Sequence, residues 1–194
     1  MNLLVEASPK TAIHRRNASF PARFCCGETG SSHLFDLLLG RPMRLLDFGA
    51  GHGKDVEYFR GYGFDAYGFD PLQERFNKMP TGKFDVVTCT YVLCVIPSLE
   101  QRGEILRQAW GKIKLGGILV VSVRTRREVS LRAKEGGWIE FGDGWITSKG
   151  TFQKGFTEYE FFGMLKNLGK GACGATVHVL HRSKALVAVV FRER

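Results

Sequence analysis

A chain of 194 residues, 44% of them hydrophobic and with 24 glycines spread along its length, fits one α/β domain and excludes both a disordered chain and a second independent core. The formal net charge of +9 is unevenly placed. Nine Lys or Arg lie between Arg102 and Lys134 against Glu104 and Glu128, and residues 7 to 27 carry Lys10, Arg15, Arg16 and Arg23 without an acid. Residues 36 to 70 instead hold six acids against four bases, so the bias leaves open a solvated basic surface or a polyanionic substrate.

No apolar run reaches the roughly 18 to 20 residues needed to cross a bilayer, and no apolar segment follows Lys10, Arg15 and Arg16 as a secretory signal would require. A soluble, intracellular (cytoplasmic) protein without a membrane partner is expected. The five cysteines, Cys25, Cys26, Cys89, Cys94 and Cys173, are odd in number and show no C-x-x-C spacing. That fits neither a disulfide framework nor a zinc site, so free thiols and no metal are expected.

Residues 1–41 read as an N-terminal arm and helix, ahead of a core over 42–191. Arg44 to Phe48 is a short strand running into glycines. Lys54 to Gly61 is a helix with Val56 and Phe59 on one face, ended by Gly61-Tyr62-Gly63. Phe64 to Phe69 is a second strand closed by Asp70-Pro71. The run from Phe84 to Leu93 is rich in β-branched and aromatic residues, and its near-continuous apolarity suits a strand buried on both faces. Ser98 and Gln101 have capping-box spacing and lead a helix with Ile105, Leu106, Ala109, Trp110 and Ile113 on one stripe, which meets Gly116-Gly117. Ile118 to Val123 is another buried strand. Thr157 and Glu160 form a second capping box before a helix with Phe161, Leu165 and Leu168 on its stripe and Gly169 as its stop. Thr176 to His181 and Ala185 to Phe191, joined by Arg182-Ser183-Lys184, make a closing antiparallel pair. Alternating strands and helices predict a Rossmann-like, mainly parallel sheet with helices on both faces and a C-terminal antiparallel hairpin.

Asp47-Phe48-Gly49-Ala50-Gly51-His52-Gly53 places three glycines at alternate positions between a strand and a helix. Glycine allows positive φ and close backbone approach, and the helix start offers unpaired N–H groups. Asp70 ends the next strand, 21 residues beyond Gly49, where a carboxylate can accept from both hydroxyls of a ribose. Turn and acid together describe an adenosine site. A dinucleotide fingerprint, G-x-G-x-x-G, sets its third glycine one position later.

The D-x-G-x-G-x-G spacing resembles the first motif of class I S-adenosylmethionine-dependent methyltransferases. Asp70, the stretch Tyr91-Val92-Leu93-Cys94-Val95-Ile96-Pro97 and Leu115-Gly116-Gly117-Ile118-Leu119 continue the likeness in order over residues 42 to 191. Thr11-Ala12-Ile13-His14-Arg15-Arg16, the Tyr91-to-Pro97 stretch and Gly142 to Lys154 are in turn similar to DNA phosphorothioation-associated putative methyltransferases, which implies a nucleic-acid setting. Cys94 stands where that pattern has Asn or His. The resemblance implies S-adenosylmethionine as cofactor and S-adenosylhomocysteine as product. Asp47, Gly49, Ala50, Gly51, Gly53, Asp70, Pro71, Thr90 and Tyr91 are then the cofactor-binding candidates.

Only 14 residues separate Asp70 from Asp85, against the roughly 20 or more that a helix-strand unit needs, so the third strand of that fold is expected to be missing or vestigial. The adenine-contacting acid at its end would go with it, leaving the backbone near Met79 and Thr81 as substitute. Tyr91 and Cys94, beyond a strand's carboxyl end, are the catalytic candidates. An N-P-P-Y-like motif for base N-methylation is absent from Thr90-Tyr91-Val92-Leu93. The 33 residues from Arg124 to Phe156 exceed an ordinary connection and are expected to cover the substrate pocket. Arg15, Arg16, Arg124, Arg126, Trp138 and Trp145 are the substrate-binding candidates. Three function classes fit: methyl transfer to nucleic acid, another anionic substrate or a small molecule; an inactive cofactor-binding scaffold with a protein partner; and a nicotinamide-dependent oxidoreductase.

Overall fold

Neighbouring residues of one strand feed two separate cores. In β1 (Arg44–Phe48), Leu45 packs with Val56 and Phe59 on one face, while Leu46 packs with Leu106 and Phe161 on the other. The same alternation sends Val86 and Val87 of β3 (Phe84–Thr90), and Val120 and Val121 of β4 (Ile113–Arg124), to opposite sides. Strands buried on both faces must be apolar at nearly every position, which is why these segments lack an alternating pattern. The computed structural model describes residues 22–23, 43–168, 175–182 and 184–193. Apart from residues 22 and 23, the expected N-terminal arm and helix lie outside these residues, with His14, Arg15 and Arg16, as do Gly169 and Ser183.

The main sheet has six strands in the order β2-β1-β3-β4-β9-β8, where β2 is Asp65–Phe69, β8 is Ala175–Arg182 and β9 is Ala185–Arg192. β2, β1, β3 and β4 run parallel; β9 pairs antiparallel with both β4 and β8. Helix α1 (Lys54–Gly61) crosses from β1 to β2, and α2 (Leu99–Gly111) from β3 to β4. Between β2 and β3 the chain makes one 3₁₀ turn, Glu74–Phe76, and no strand, as the short spacing requires. β2 is therefore a sheet edge.

Two strand boundaries and one helix cap differ from the sequence pattern. β3 stops at Thr90, because Tyr91 adopts φ 62° and Leu93–Val95 turns into a 3₁₀ helix. β4 begins at Ile113, five residues earlier than expected. Gly116 with φ 76° and a register shift between Phe84 and Val86 absorb the glycines as a bulge instead of a loop. Ser98 accepts from the Gln101 amide, but the reciprocal half of that capping box is not made; Thr157 and Glu160 make both halves and start α4 (Glu158–Lys166).

The largest difference lies between Arg124 and Phe156. This stretch, to which the sequence pattern assigns no elements, holds helix α3 (Arg126–Gly136) and a three-stranded antiparallel sheet of β5 (Ile139–Phe141), β6 (Gly144–Ile146) and β7 (Phe152–Gln153). Its two ends close on each other, the Phe156 amide donating to the Arg124 carbonyl at 2.9 Å and the Arg126 amide to the Phe156 carbonyl at 2.8 Å. The unit is thus a small lobe on a narrow neck.

Candidate functional site

The turn after β1 is fastened to the end of β2. The Gly49 and Ala50 amides both donate to the Phe69 carbonyl, at 2.7 and 3.1 Å. Gly49 has φ 86°, and a Cβ there would fall 2.2 Å from Cγ2 of Val92. Gly53 has φ 79°, caps α1, and faces the Phe76 ring at 2.6 Å from where a Cβ would stand. Both positions need glycine for conformation and for space.

Asp70 completes this end. Its Oδ2 accepts from the Gly51 amide at 2.9 Å and its Oδ1 from the Leu72 amide at 3.0 Å, so the carboxylate holds the turn against the β2–β3 connection. Each oxygen keeps a second lone pair. Behind the turn, two buried carboxylates meet the hydroxyls of β3: Thr88 Oγ1 donates to Asp47 at 2.7 Å, and Thr90 Oγ1 to Asp55 at 3.4 Å.

A cavity of about 680 Å³ opens from this turn. Gly49, Ala50, Gly51, Asp70, Pro71, Thr90 and Tyr91 line it, while Asp47 and Gly53 support the turn without lining it. Leu72 and Gln73 line the cavity, whereas Met79 and Thr81 do not. Tyr91 is the one non-glycine residue with positive φ among those described, and its amide donates to the Ser122 carbonyl at 2.9 Å. Backbone held in that region costs about 1 to 3 kcal/mol and collects at functional positions.

The far end of the cavity belongs to the lobe, with Trp138, Thr147, Ser148, Lys149, Thr151 and Gln153 on its wall. Arg124 is held in plane by Glu128, Nε and Nη2 each 2.7 Å from a carboxylate oxygen, and its Nη1 donates to Gln153 at 2.9 Å. Arg132 donates to the same carboxylate. Burial pushes the Glu128 carboxyl up, but the two guanidinium groups outweigh it and hold the group below the ordinary range. Glu128 is an anchored carboxylate, not a spare base.

Two of the expected side chains take other places. Arg126 points away from the cavity to Glu160, at 2.8 Å, and Trp145 sits in β6 opposite Glu140 and Gln153 without lining the cavity. Cys94 borders the cavity but is nearly wholly buried. Its Sγ accepts from the Arg124 amide at 3.1 Å, and burial pushes its thiol up to about 11 against the opposing pull of that amide. It remains a neutral thiol at physiological pH.

Glu128 and Arg132 were missed because α3 was. Its signal was in the sequence: Thr125 precedes Glu128 by three residues and caps the helix by accepting from the Glu128 amide at 3.3 Å. Lys149, Gln153 and Lys184 carried no comparable signal.

The lobe is pinned by buried charge. Arg102 of α2, fully buried, donates to both oxygens of Asp143 at 2.6 and 2.7 Å and to the carbonyls of Ile96 and Pro97 at 2.7 and 2.8 Å. Lys154, also buried, lies 3.1 Å from Asp143 and 3.3 Å from Glu160, and its amide donates to the Cys94 carbonyl at 2.8 Å. The loop after β3 and the lobe thus share one set of partners.

A methyltransferase-domain family model matches residues 19–161. No curated protein matches the sequence. Solved structures show the same fold at low identity. PH0226 protein from Pyrococcus horikoshii OT3 is 15% identical with a TM-score of 0.64, covering 94% of this chain and 95% of that one. The plantazolicin methyltransferase BpumL, solved with S-adenosylhomocysteine, is 14% identical with a TM-score of 0.63, covering 91% of this chain and 86% of that one. The 1,6-didemethyltoxoflavin-N1-methyltransferase of Burkholderia thailandensis is 18% identical with a TM-score of 0.60, over 90% and 79%. With its glycine turn, its strand-end acid and a family match over most of its length, the chain belongs to the methyltransferase-domain family.

Proposed function

We propose that the cavity binds S-adenosylmethionine along the glycine turn and that the protein transfers its methyl group to a small acceptor held under the lobe. One observation carries this reading: the Asp70 carboxylate sits 2.9 Å from the Gly51 amide on the wall of a cavity that continues beneath residues 138–153. The site fits the cofactor, because each Asp70 oxygen has one amide donor and keeps a lone pair for one hydroxyl of a ribose. Gly49, Ala50 and Gly51 would hold the methionine portion, Asp70 the ribose, and Pro71, Leu72 and Gln73 the adenine. Asp47 and Gly53 keep the turn in shape from behind, and Thr90 would border the cofactor. When bound, the cofactor supplies a methyl group on a positively charged sulfur, which is a good leaving group.

The chain's own contribution is positioning and exclusion of water. Tyr91, fixed at the end of β3, shapes the junction between the two ends of the cavity, and the lobe covers the acceptor end.

The resemblance to phosphorothioation-associated proteins and the basic run 102–134 favour a nucleic-acid acceptor, but the pairing of that run supports a smaller one. Six of its nine cations, Arg102, Arg107, Lys114, Arg124, Arg126 and Arg132, are matched to carboxylates. Backbone tracking requires cations available to phosphate. Two of the fold neighbours are named for 1,6-didemethyltoxoflavin and plantazolicin.

Calorimetry tests the cofactor. S-adenosylhomocysteine should bind and NADH should not, and Asp70→Ala should weaken the former by about 10-fold to 100-fold, as expected for a charge-assisted hydrogen bond worth about 1.5 to 3 kcal/mol. Unchanged affinity in Asp70→Ala would refute the pose. Labelled methyl transfer to a cell extract separates an enzyme from a binding scaffold, and label in nuclease-sensitive material would restore the nucleic-acid reading.

A further inference from the structure

The acceptor end of the cavity has a chemical character of its own, and the following deepens the reading above and rests on it. Ionisable groups on its wall are Arg124, Arg132, Lys149 and Lys184 against Glu128, a formal balance of four positive charges to one negative. Arg124 and Arg132 share Glu128, but the ammonium groups of Lys149 and Lys184 have no acceptor among the described residues. Lys149 is carried on a braced turn, in which Thr147 Oγ1 accepts from the Lys149 and Thr151 amides at 3.3 and 3.2 Å and the Gly150 amide donates to the Thr147 carbonyl at 2.8 Å. Lys184 is set by its carbonyl, which accepts from the Thr125 amide at 3.2 Å. Two cations with no carboxylate partner among the described residues are therefore carried on braced backbone beside the cavity.

Apolar and aromatic side chains also line the cavity, beside the polar Thr147, Ser148, Thr151 and Gln153. The Trp138 indole packs over Gly136 so closely that a Cβ there would lie 2.5 Å from its Nε1, which fixes the ring's orientation at the end of α3. Val92, Val95 and Ile96 line the same cavity. A flat apolar body with a negative end matches both halves of this surface.

The third observation is what the groups around the acceptor are already doing. Glu128 is bound by two guanidinium groups, Asp70 by two amides, and Cys94 by the Arg124 amide with its proton retained. None of the three is placed to take a proton from an acceptor.

We propose that the acceptor is an aromatic oxyanion, a carboxylate or an acidic phenol, that enters already ionised and is methylated on its own charged oxygen, with Trp138 against its ring and Lys149 and Lys184 drawing its charge. The acceptor oxygen supplies the electron pair of the new oxygen–carbon bond. The donor's sulfur–carbon bond breaks with its pair left on sulfur, and no proton has to be removed. An anion and a cation become two neutral groups, a change that a dry cavity favours.

The test uses the full-length protein and the small-molecule filtrate of a cell extract, passed over an anion exchanger at pH 8 before reaction with labelled S-adenosylmethionine. Label is expected from the retained fraction alone, in a product that has lost one negative charge and elutes earlier than its parent. The double variant Lys149→Gln/Lys184→Gln should raise the amount of that fraction needed for half-maximal transfer by about fivefold or more, while its calorimetric affinity for S-adenosylhomocysteine stays unchanged. Transfer to the unretained fraction, a labelled product of unchanged charge, no transfer from the retained fraction, or, in the unfiltered extract, label in protein or nucleic acid would each overturn the proposal. Failure of the wild-type protein to bind S-adenosylhomocysteine would instead overturn the cofactor reading.

Discussion

The two ends of the cavity are held by different physics. At the cofactor end the contacts are short, mostly main-chain, and local to two strand ends: Gly49 and Ala50 to Phe69, and Asp70 to Gly51 and Leu72. At the acceptor end they are side-chain ion pairs and hydrogen bonds that span long stretches of sequence, the ion pair of Arg102 with Asp143 across 41 residues and the hydrogen bond of Arg124 to Gln153 across 29. A site fixed by backbone admits little variation in residue type. One fixed by ion pairs can be loosened without disturbing the sheet, and this separation is what mutations should expose.

The largest effect is expected at the turn. Gly49→Ala places a methyl group 2.2 Å from Val92 and keeps the residue at φ 86°, so strain and overpacking together should cost about 3 kcal/mol. Denaturant unfolding checks the loss. Val92→Ala in the same chain should recover the overpacking part and leave the conformational part, a coupling that a double-mutant cycle measures. Additive losses would mean that the turn moves to accommodate the methyl group.

Next comes the pin of the lobe. Arg102→Met keeps an apolar stem but removes the guanidinium from over the Phe152 and Phe156 rings and leaves the carbonyls of Ile96 and Pro97 without their donors and Asp143 without its fork. Asp143 is 43% exposed and can turn to water, so the expected cost is on the order of 2 kcal/mol and not the full penalty of an orphaned buried charge. Hydrogen exchange should rise across residues 139–153, with the affinity for S-adenosylhomocysteine changed less than about threefold. Equal loosening of the glycine turn would show that the two ends are one cooperative unit.

This contrast also explains what could be read in the sequence. β1 matched its predicted span, α1 carried Val56 and Phe59 inward as expected, and the short distance from Asp70 to Asp85 foretold the missing strand, because all three depend on nearby residues. The turn and Asp70 were singled out on spacing alone, and the fold brings them into contact. The elements of the lobe escape the sequence pattern because its helix is polar, with Val129 and Ala133 as its buried residues, and its strands are two or three residues long. Neither gives a clear period. The pairing of Arg126 with Glu160 and the seclusion of Trp145 depend on where the lobe docks, which no local pattern encodes.

A smaller effect should follow acid. Burial pushes the carboxyls of Asp143 and Glu160 up, but Arg102 and Lys154 for the first, and Thr157, Lys154 and Arg126 for the second, leave both below their ordinary values of 3.8 and 4.5. A carboxyl lowered in the folded state adds stability above its ordinary value, and that contribution disappears as pH falls through the folded value. Acidification below about pH 4.5 should therefore free the lobe first. Trp138 and Trp145 both lie in it, so the fluorescence change should precede the loss of far-ultraviolet circular dichroism. Coincident transitions would mean that these pairs add nothing to the lobe beyond the stability of the sheet.

The smallest effect is expected at Cys94. Its sulfur is a weak acceptor for the Arg124 amide and otherwise fills space in the core, so Cys94→Ala should cost about 1 kcal/mol through one weakened hydrogen bond and a small cavity. Transfer should stay within about threefold of the unaltered protein, because a thiol pushed up to about 11 supplies neither a thiolate nor a base at neutral pH. A loss of a hundredfold in a variant of unchanged stability would place sulfur in the chemistry after all. The acceptor would then need help in losing a proton, and the contrast between a backbone-held cofactor end and a charge-held acceptor end would have to include a proton relay where the two meet.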